Sequence, residues 1–419
     1  MIRILKILLA FIVSCFFFFP ITFTFLPQSI NSKIIMAVIG LMIMAFDLLS
    51  GKNKNVTDRS FIIILVISSL FSLICYASTT LNNTSEYTYS TYVVSMLVWS
   101  SAAYTSFRFI KKAHGYSSIG LISNYIIALC VAQCIIAMLV DVFPSINHFL
   151  RQYIVLAEQL SYEHRLIGVG ISFDPAGIRF SAALIICAAM MIDNALNNKY
   201  IIAYLISFFI IFIIGNMLSR TTTVGALIAM ALFVYKSKFW KGYSSKGIAN
   251  ILRNSAAIII LLVPIVIVLY NNSLSFRELC DFGFEGFINY VQTGKWQTHS
   301  SDILQGMWSV WPDNIKTWII GDGYFSNPDN PRLYYMGTDV GYARLIFYCG
   351  IIGLTMFGCL FIYLSTFFSK RFPEYSYLFV FLLILQFAIW IKVSTDIFLI
   401  FAFYYPLIFQ KNSERCPVN

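Results

Sequence analysis

The chain has 419 residues, of which 59% are hydrophobic and only 11% are charged. Because charged residues make up about a quarter of an ordinary soluble domain, this composition excludes a water-soluble globular protein and indicates that lipid surrounds most of the surface. The formal net charge of +10 would suit a nucleic-acid-binding protein, but the basic residues follow the loops between apolar segments, as membrane topology requires.

The apolar segments, taken in chain order, predict an all-α polytopic membrane protein with about 12 transmembrane helices, because a helix needs about 20 mostly apolar residues to cross the hydrocarbon core. The predicted spans are residues 7–26, 34–50, 60–78, 91–108, 117–140, 176–193, 200–217, 222–236, 255–271, 343–367, 376–391 and 394–410. The first span follows Arg3 and Lys6 and exceeds the apolar run of about 7 to 15 residues in a signal peptide. We therefore expect it to be a permanent span.

The basic residues predict which loops face the cytoplasm. With the N-terminus inside, 18 of the 29 Lys and Arg residues lie in inner segments. They are Arg3, Lys6, Lys52, Lys54, Arg59, Arg108, Lys111, Lys112, Lys199, Lys236, Lys238, Lys241, Lys246, Arg253, Lys370, Arg371, Lys411 and Arg415. Most of the others lie in two long outer loops, where the positive-inside bias is weak. We expect an even number of spans with both termini in the cytoplasm.

Two outer loops, residues 141–175 and 272–341, exceed the length of about 12 to 15 residues beyond which a loop usually has a function or its own structure. Because the chain shows no internal repeat or linker, we expect residues 1–419 to form a single transmembrane domain, with both loops contributing to the active site. Only Cys280 of the nine cysteines falls in an outer loop, so no disulfide framework is expected there. The second loop is rich in aromatic residues, namely Trp296, Trp308, Trp311, Trp318, Tyr324, Tyr334 and Tyr335. Anchoring at the lipid headgroups and stacking on sugars both explain these residues.

The first of three short motifs runs from Arg165 to Gly177 and leads into the predicted span 176–193. Asp174 suits a helix N-cap and Pro175 suits a first helical turn. These two residues therefore have a structural explanation that needs no function.

The second motif, Ser219-Arg220-Thr221-Thr222-Thr223, connects two apolar spans. Arg220 is therefore expected close to hydrocarbon, where an ionisable residue usually has a partner or a function. An arginine at this depth can also extend to the headgroups. Hydroxyl groups and a helix N-terminus beside it favour an anion site.

The third motif, from Thr338 to Arg344, leads into the span 343–367. Thr338 or Asp339 suits a helix cap, and Arg344 falls in the first two helical turns. Arg344 can reach either a lipid phosphate or a ligand.

The three motifs coincide in placing an arginine near the start of an inward-running helix. Each such helix presents the positive end of its dipole at the outer leaflet. Because the fork of arginine recognises phosphate oxygens bidentately, Arg165, Arg220 and Arg344 together suggest a diphosphate site. A diphosphate leaving group needs its developing negative charge stabilised.

Metal and nucleotide chemistry have little support in the sequence. The four histidines, His114, His148, His164 and His299, show no metal-ligand spacing, and no Asp-x-Asp pair or P-loop occurs. We therefore expect no metal and no cofactor, and no cytoplasmic nucleotide as the energy source.

These motifs resemble the O-antigen polymerase (Wzy-type) family of bacterial polysaccharide assembly, which is related to the O-antigen ligases. The similarity covers most of the chain. It lies in the helix count, the two long outer loops, the segment from Arg165 to Gly177, the Ser-Arg-Thr hairpin and the stretch from Gly321 to Gly353. Its most specific part is Thr338-Asp339-Val-Gly341-Tyr342-Ala-Arg344-Leu-Ile-Phe-Tyr-Cys-Gly350.

The resemblance implies a metal-independent glycosyltransferase of the bacterial inner membrane, acting at the periplasmic face in lipopolysaccharide or capsule polysaccharide biosynthesis. It would transfer a glycan from one undecaprenyl-diphosphate carrier to the terminal sugar of a repeat unit on a second carrier. Diphosphate binding falls to Arg165, Arg220 and Arg344, with Asp174 and Tyr342 in support. The implied partners are the undecaprenyl-diphosphate-linked oligosaccharide, the lipid bilayer and a chain-length regulator, with no nucleic acid.

The acceptor hydroxyl requires a general base within hydrogen-bond reach. Asp339 is the first candidate by position and His299 the second, although His299 is more simply explained as a solvated loop histidine. Glu163, His164 and Asp302 stay open as further candidates.

Three other functions are compatible with parts of the sequence. O-antigen ligases carry a histidine followed by an asparagine where this chain has Thr338-Asp339, so ligase activity fits the sequence less well. A lipid-linked oligosaccharide flippase would be expected to show ionisable residues at the bilayer midplane, whereas the arginines here gather on one face. A membrane scaffold without catalysis is the third alternative.

Overall fold

The apolar segments form helices in the structure, a computed structural model that describes residues 2–50, 59–157, 164–237 and 246–409. Helices make up 77% of the structure, and these ranges contain no strand. In chain order the α-helices are α1 (Ile2–Phe18), α2 (Ser32–Leu49), α3 (Arg59–Leu81), α4 (Tyr92–His114), α5 (Ile119–Val142), α6 (Pro144–Tyr153), α7 (Phe173–Asp193), α8 (Asn198–Leu218), α9 (Thr221–Ser237), α10 (Lys246–Asn272), α11 (Leu274–Thr293), α12 (His299–Met307), α13 (Ile315–Ile320), α14 (Gly341–Arg371), α15 (Ser376–Ile389) and α16 (Phe398–Tyr404).

The chain is an all-α polytopic membrane protein, which confirms the predicted fold class. Among the described residues, seven helices are long and apolar enough to cross a membrane: α2, α3, α5, α7, α8, α10 and α14. Shorter apolar helices cover Thr221–Ser237, Pro373–Ile389 and Phe398–Ile408. Every predicted span overlaps a helix of the structure. Apolar side chains such as Ile260 and Leu261 are exposed on α10, as lipid contact requires.

The described parts of the two long loops contain several helices. Residues 141–175 contain α6, and residues 272–341 contain α11, α12, α13 and a 3-10 turn at Tyr335–Gly337. Local sequence sets these boundaries: α11 ends at Thr293, and its C-cap Gly294 has a φ of 73°, which favours glycine. Thr298 and Ser301 then form a capping box that begins α12.

The described chain divides into two compact units. The first comprises the described residues of 2–40, 102–295 and 403–409, and the second comprises the described residues of 41–101 and 296–402. Each unit combines segments that are distant in the sequence. The expectation of one transmembrane domain over residues 1–419 stays a prediction.

Helix α7 forms the core of the first unit, and small residues allow α9 to approach it closely. Of the most apolar window of α7, 89% is buried. A Cβ atom on Gly225 would overlap the backbone of Ser181, and one on Gly177 would lie 2.6 Å from the Ser219 Oγ. Since small residues permit close packing of membrane helices, these contacts fix the start of α9 against the start of α7.

The second unit contains a membrane helix with an internal break. Gly350 in α14 has φ 64° and ψ −176°, a conformation that only glycine adopts readily. The break frees two carbonyl groups from the helix, and the turn at Gly321-Asp322-Gly323 satisfies them. Asp322 N donates to Phe347 O at 2.6 Å and Gly323 N donates to Tyr348 O at 3.1 Å. This meets the requirement that backbone polar groups at membrane depth find partners within the protein.

Candidate functional site

The segment that carries Arg165 is fixed by backbone contacts within the first unit. Leu166 N donates to Met217 O at 3.0 Å, and the Gln133 amide donates to Val169 O at 2.9 Å. Gly170 has φ 84°, and a Cβ atom there would lie 2.8 Å from Phe19 O. The glycine therefore lets this segment pass directly beside the end of α1. Arg165 is thus held where α7 begins.

The Ser-Arg-Thr motif forms the tight connection between α8 and α9, as the sequence predicts. Helix α8 ends at Leu218 and α9 begins at Thr221. The Ser219 and Thr221 hydroxyl groups donate to Asp174 Oδ1 at 3.1 and 2.6 Å. Asp174 therefore connects the first motif to the second.

The interpretation of Asp174 as an N-cap is wrong. The N-cap of α7 is Ser172, and Asp174 lies in the first turn. Phe173 has φ 60°, which is uncommon for a residue with a side chain. Asp174 instead accepts hydrogen bonds from the α8–α9 connection, where two hydroxyl donors are available.

Arg165 and Arg220 both lie at the ring of Phe282, on α11. The guanidinium carbon is 5.8 Å from the ring centroid for Arg165 and 4.3 Å for Arg220. Arg165 also lies 3.9 Å from the Phe173 ring centroid. A guanidinium group over an aromatic face is stabilised by the ring quadrupole. The structure thus brings together two of the three arginines that the sequence selects.

Arg220 makes several directional contacts to α11. Its Nε donates to Phe282 O at 2.8 Å, and its Nη2 forms an ion pair with Glu285 Oε2 at 2.7 Å. The Arg220 side chain is 16% exposed. Its planar fork is therefore held in one orientation while part of it still reaches solvent.

His164, one of the open candidates for the general base, lies between two carboxylates. Its Nδ1 is 2.8 Å from Glu278 Oε2, and its Nε2 is 3.4 Å from Asp141 Oδ1. Glu278 is four residues before Phe282 on α11, so the two lie on the same helix face. The same face of α11 therefore contacts His164, Arg165 and Arg220. Glu163 lies outside the described residues.

Arg344 lies in the first turn of α14 in the second unit, where it is only 8% exposed. Its Nη1 contacts Asp339 Oδ1 at 2.9 Å and its Nη2 donates to Phe325 O at 3.2 Å. The guanidinium carbon lies 3.7 Å from the Phe325 ring centroid and 4.5 Å from that of Tyr334. Its Nε makes no hydrogen bond to any described residue. Arg344 and Asp339 thus form one ion pair within an aromatic enclosure.

The interpretation of Thr338 or Asp339 as the cap of α14 is wrong. The N-cap is Val340, without a side-chain cap. Thr338 Oγ1 donates to Met307 O at 3.2 Å, and Asp339 accepts from Arg344. Tyr342, predicted as a supporting residue, donates through its hydroxyl group to Phe387 O at 3.0 Å. These residues therefore fix the start of α14 to neighbouring segments of the second unit.

His299 is the first residue of α12, directly after the capping residue Thr298. Asp302 lies in the first turn of the same helix and accepts from the Gln297 amide at 2.9 Å. Both residues belong to the second unit. The role of His299 as a general base stays a prediction.

The aromatic residues of the second loop form two stacked groups in the second unit. The Trp311 and Trp318 rings are 5.8 Å apart and inclined by 7°. The Tyr324 and Tyr335 rings are 5.2 Å apart. Burial, reinforced by the nearby Asp322 carboxylate, raises the pKa of Tyr335 to about 12. Tyr335 therefore stays protonated at neutral pH and acts as a hydrogen-bond donor.

Glu86 and Arg179 are among the residues near these sites that were not selected from the sequence. Glu86 accepts from Phe325 N and from Ser326 N, the latter at 2.9 Å, and so holds the segment whose ring covers Arg344. Arg179 is 5% exposed in α7, near the rings of Phe18 and Phe19. An arginine inside a predicted span was the available signal for Arg179, whereas Glu86 had none because its partners lie far along the chain.

No group of three or more His, Cys, Asp or Glu side chains among the described residues is arranged to hold a metal ion. No family model matches this chain, and neither a curated protein nor a solved structure shows significant similarity to it.

Proposed function

We propose that this protein is a bacterial polysaccharide polymerase of the inner membrane. It transfers a glycan from one undecaprenyl-diphosphate carrier to the terminal sugar of a second lipid-linked repeat unit. The transfer takes place at the periplasmic face, without a metal or a nucleotide.

The observation that carries this proposal is the placement of Arg165 and Arg220 at one ring of α11, beside the starts of α7 and α9. Two guanidinium groups and two helix N-termini favour a ligand with more than one negative charge. Because α7 is long and apolar enough to cross a membrane and α9 is a shorter apolar helix, we expect the ligand to present its anionic group near a membrane surface. A lipid-linked diphosphate meets both conditions.

The same groups suit the chemistry of transfer. When the bond between the sugar and the diphosphate breaks, negative charge develops on the leaving oxygen, and guanidinium groups already in place stabilise it. Arg344, in the second unit, is a separate candidate for binding an anionic group, since its buried Nε makes no hydrogen bond to a described residue.

A transporter of lipid-linked oligosaccharides is the second candidate, favoured by the break at Gly350 in α14. Discontinuous helices in transporters expose carbonyl groups that bind ions. Here Phe347 O and Tyr348 O already accept backbone hydrogen bonds, and Tyr348 O also accepts from Ser78. The break therefore supports an ion-binding site less well than it supports a structural connection to the loop, and we prefer the polymerase.

Deletion of the gene distinguishes the two functions. For a polymerase, deletion abolishes long polymer while single repeat units still reach the outer face. For a transporter, repeat units accumulate on the cytoplasmic leaflet. Glycan ladders, together with enzymatic accessibility of repeat units from outside the membrane, measure the difference. Inward-facing repeat units in the deletion strain would contradict the proposal.

A further inference from the structure

His164 is adjacent in the chain to Arg165 and makes contacts that differ at its two ring nitrogens. The Nδ1 contact to Glu278 is 2.8 Å, within the range of a good hydrogen bond, whereas the Nε2 contact to Asp141 is 3.4 Å. An ionised carboxylate can only accept, so the shorter contact places the proton of a neutral imidazole on Nδ1. Nε2 then carries the lone pair, with Asp141 Oδ1 3.4 Å away, and 26% of the side chain is open to an approaching hydroxyl group.

From this geometry we propose that His164 accepts the proton of the acceptor sugar hydroxyl, which rests on the glycosyl transfer proposed above. Glu278 is the positioning residue, because its hydrogen bond fixes both the tautomer and the orientation of the ring. A histidine oriented by a carboxylate and directed at a hydroxyl group is a recurring arrangement for activating an oxygen nucleophile.

The acceptor hydroxyl oxygen forms a bond to the anomeric carbon of the donor glycan, and its proton passes to His164 Nε2. The bond between the anomeric carbon and the diphosphate oxygen breaks, and its electron pair leaves with the diphosphate beside Arg165 and Arg220. The resulting imidazolium donates from Nδ1 to Glu278 and faces Asp141 with Nε2–H. Since the His164 side chain is 26% exposed, it can return the proton to solvent.

Two observations favour His164 over the candidates of the second unit. Asp339 is engaged by the Arg344 guanidinium at 2.9 Å, so proton transfer to it would weaken a buried ion pair. His164, in contrast, shares the α11 face with the paired arginines. A single helix therefore contacts both the proposed proton acceptor and the proposed diphosphate ligands.

The test uses the full chain in lipid nanodiscs, with repeat units extracted from cells that lack the gene. We expect His164→Gln to lower turnover by a factor of about 100 or more, the contribution typical of general base catalysis. Binding of undecaprenyl diphosphate should change little, which shows that the variant is folded. His148→Gln is the matched control, because His148 is exposed on α6 in the same predicted loop, and it should behave as wild type.

Chemical rescue separates proton transfer from a structural role. We expect imidazole in solution to restore part of the turnover of His164→Ala, because the side chain is partly exposed, but not to affect Arg220→Ala. Wild-type turnover in His164→Gln would overturn the assignment of His164. A loss of turnover in His164→Ala that imidazole does not restore would also overturn it. Absence of polymer formation by the wild-type protein would instead count against the proposed function itself.

Discussion

At the residue scale, the properties of Arg220 depend on the shape of its side chain. Its Nε and Nη2 contact two different groups of α11, Phe282 O and Glu285, and its guanidinium carbon lies over the Phe282 ring. Lysine is a point charge without a fixed fork, so it cannot reproduce this set of contacts. The charge alone is therefore insufficient for the proposed role.

We predict that Arg220→Lys leaves the protein in the membrane at normal abundance but removes most polymerase activity. The readout is polymer ladder length in complemented deletion cells, with membrane abundance measured in parallel. Arg151→Lys is the matched control, because Arg151 is exposed on α6. Wild-type ladders from both Arg220→Lys and Arg220→Ala would contradict a role of Arg220 in activity and leave it a structural role only.

Asp339 and His164 offer competing assignments of the general base. If His164 accepts the proton, Asp339→Asn keeps most of its turnover, because the amide oxygen still accepts from Arg344 Nη1. If Asp339 is the base, the same substitution slows turnover strongly, since an amide does not take up a proton at neutral pH. Single-turnover rates of the two variants decide between them. A strong loss in Asp339→Asn with normal His164→Gln turnover would make Asp339 the base.

The sequence can single out a candidate site residue when that residue lies next to a recognisable apolar span. Arg165 and Arg220 were selected because each precedes an apolar span, and the structure places both at α11. Glu278 and Glu86 were not selected, because their partners His164 and Ser326 lie 114 and 240 residues away. No local pattern encodes contacts of that range.

At the element scale, the break in α14 depends on one glycine. Gly350 lies in the left-handed region, and a Cβ atom there would overlap the backbone of Ile319 and Ile320. Alanine would therefore face both backbone strain and a clash with main-chain atoms. The turn at Gly321 would lose its position against the Tyr348 carbonyl.

We predict that Gly350→Ala markedly lowers the thermal stability of the protein in detergent. Gly358→Ala is the matched control in the same helix, since its Cβ would have a nearest neighbour at 3.5 Å, which is ordinary contact. We expect that control to melt at or above the wild-type temperature, because alanine favours the helix. Equal melting temperatures for both variants would show that α14 tolerates a continuous helix at Gly350.

The helices themselves were predictable, because each depends on a run of apolar residues that lipid contact requires. The ends and the interruptions of the helices were harder to predict from the sequence. The first helix ends at Phe18, short of the predicted boundary at residue 26, because Pro20 follows and lacks a backbone donor. The break at Gly350 was missed because the flanking residues are uniformly apolar. Only the contact with residues 319–323 shows why the helix is interrupted.

At the scale of the whole molecule, composition alone predicts a polytopic membrane protein, and the structure confirms it. The division into two compact units was not predicted, because each unit combines segments from distant parts of the sequence. Orientation in the membrane depends on the charge bias of the loops and stays a prediction.

We predict that a membrane-impermeant thiol reagent applied from outside labels Gln305→Cys but not Lys112→Cys, since both positions are exposed and the charge pattern places them on opposite sides. Background from the native Cys280 should be small. Burial, with a smaller contribution from Asp281, raises its pKa to about 11, so the thiol stays protonated and unreactive at neutral pH. Labelling of Lys112→Cys but not Gln305→Cys would reverse the proposed topology.

The most direct test of the central claim is polymer formation by the purified protein. Wild-type protein in nanodiscs receives lipid-diphosphate-linked repeat units in the presence of a metal chelator and without nucleotide. We expect glycans of increasing length and one released undecaprenyl diphosphate for each new glycosidic bond. Absence of chain growth, or growth that requires a divalent metal or a nucleotide, would contradict it.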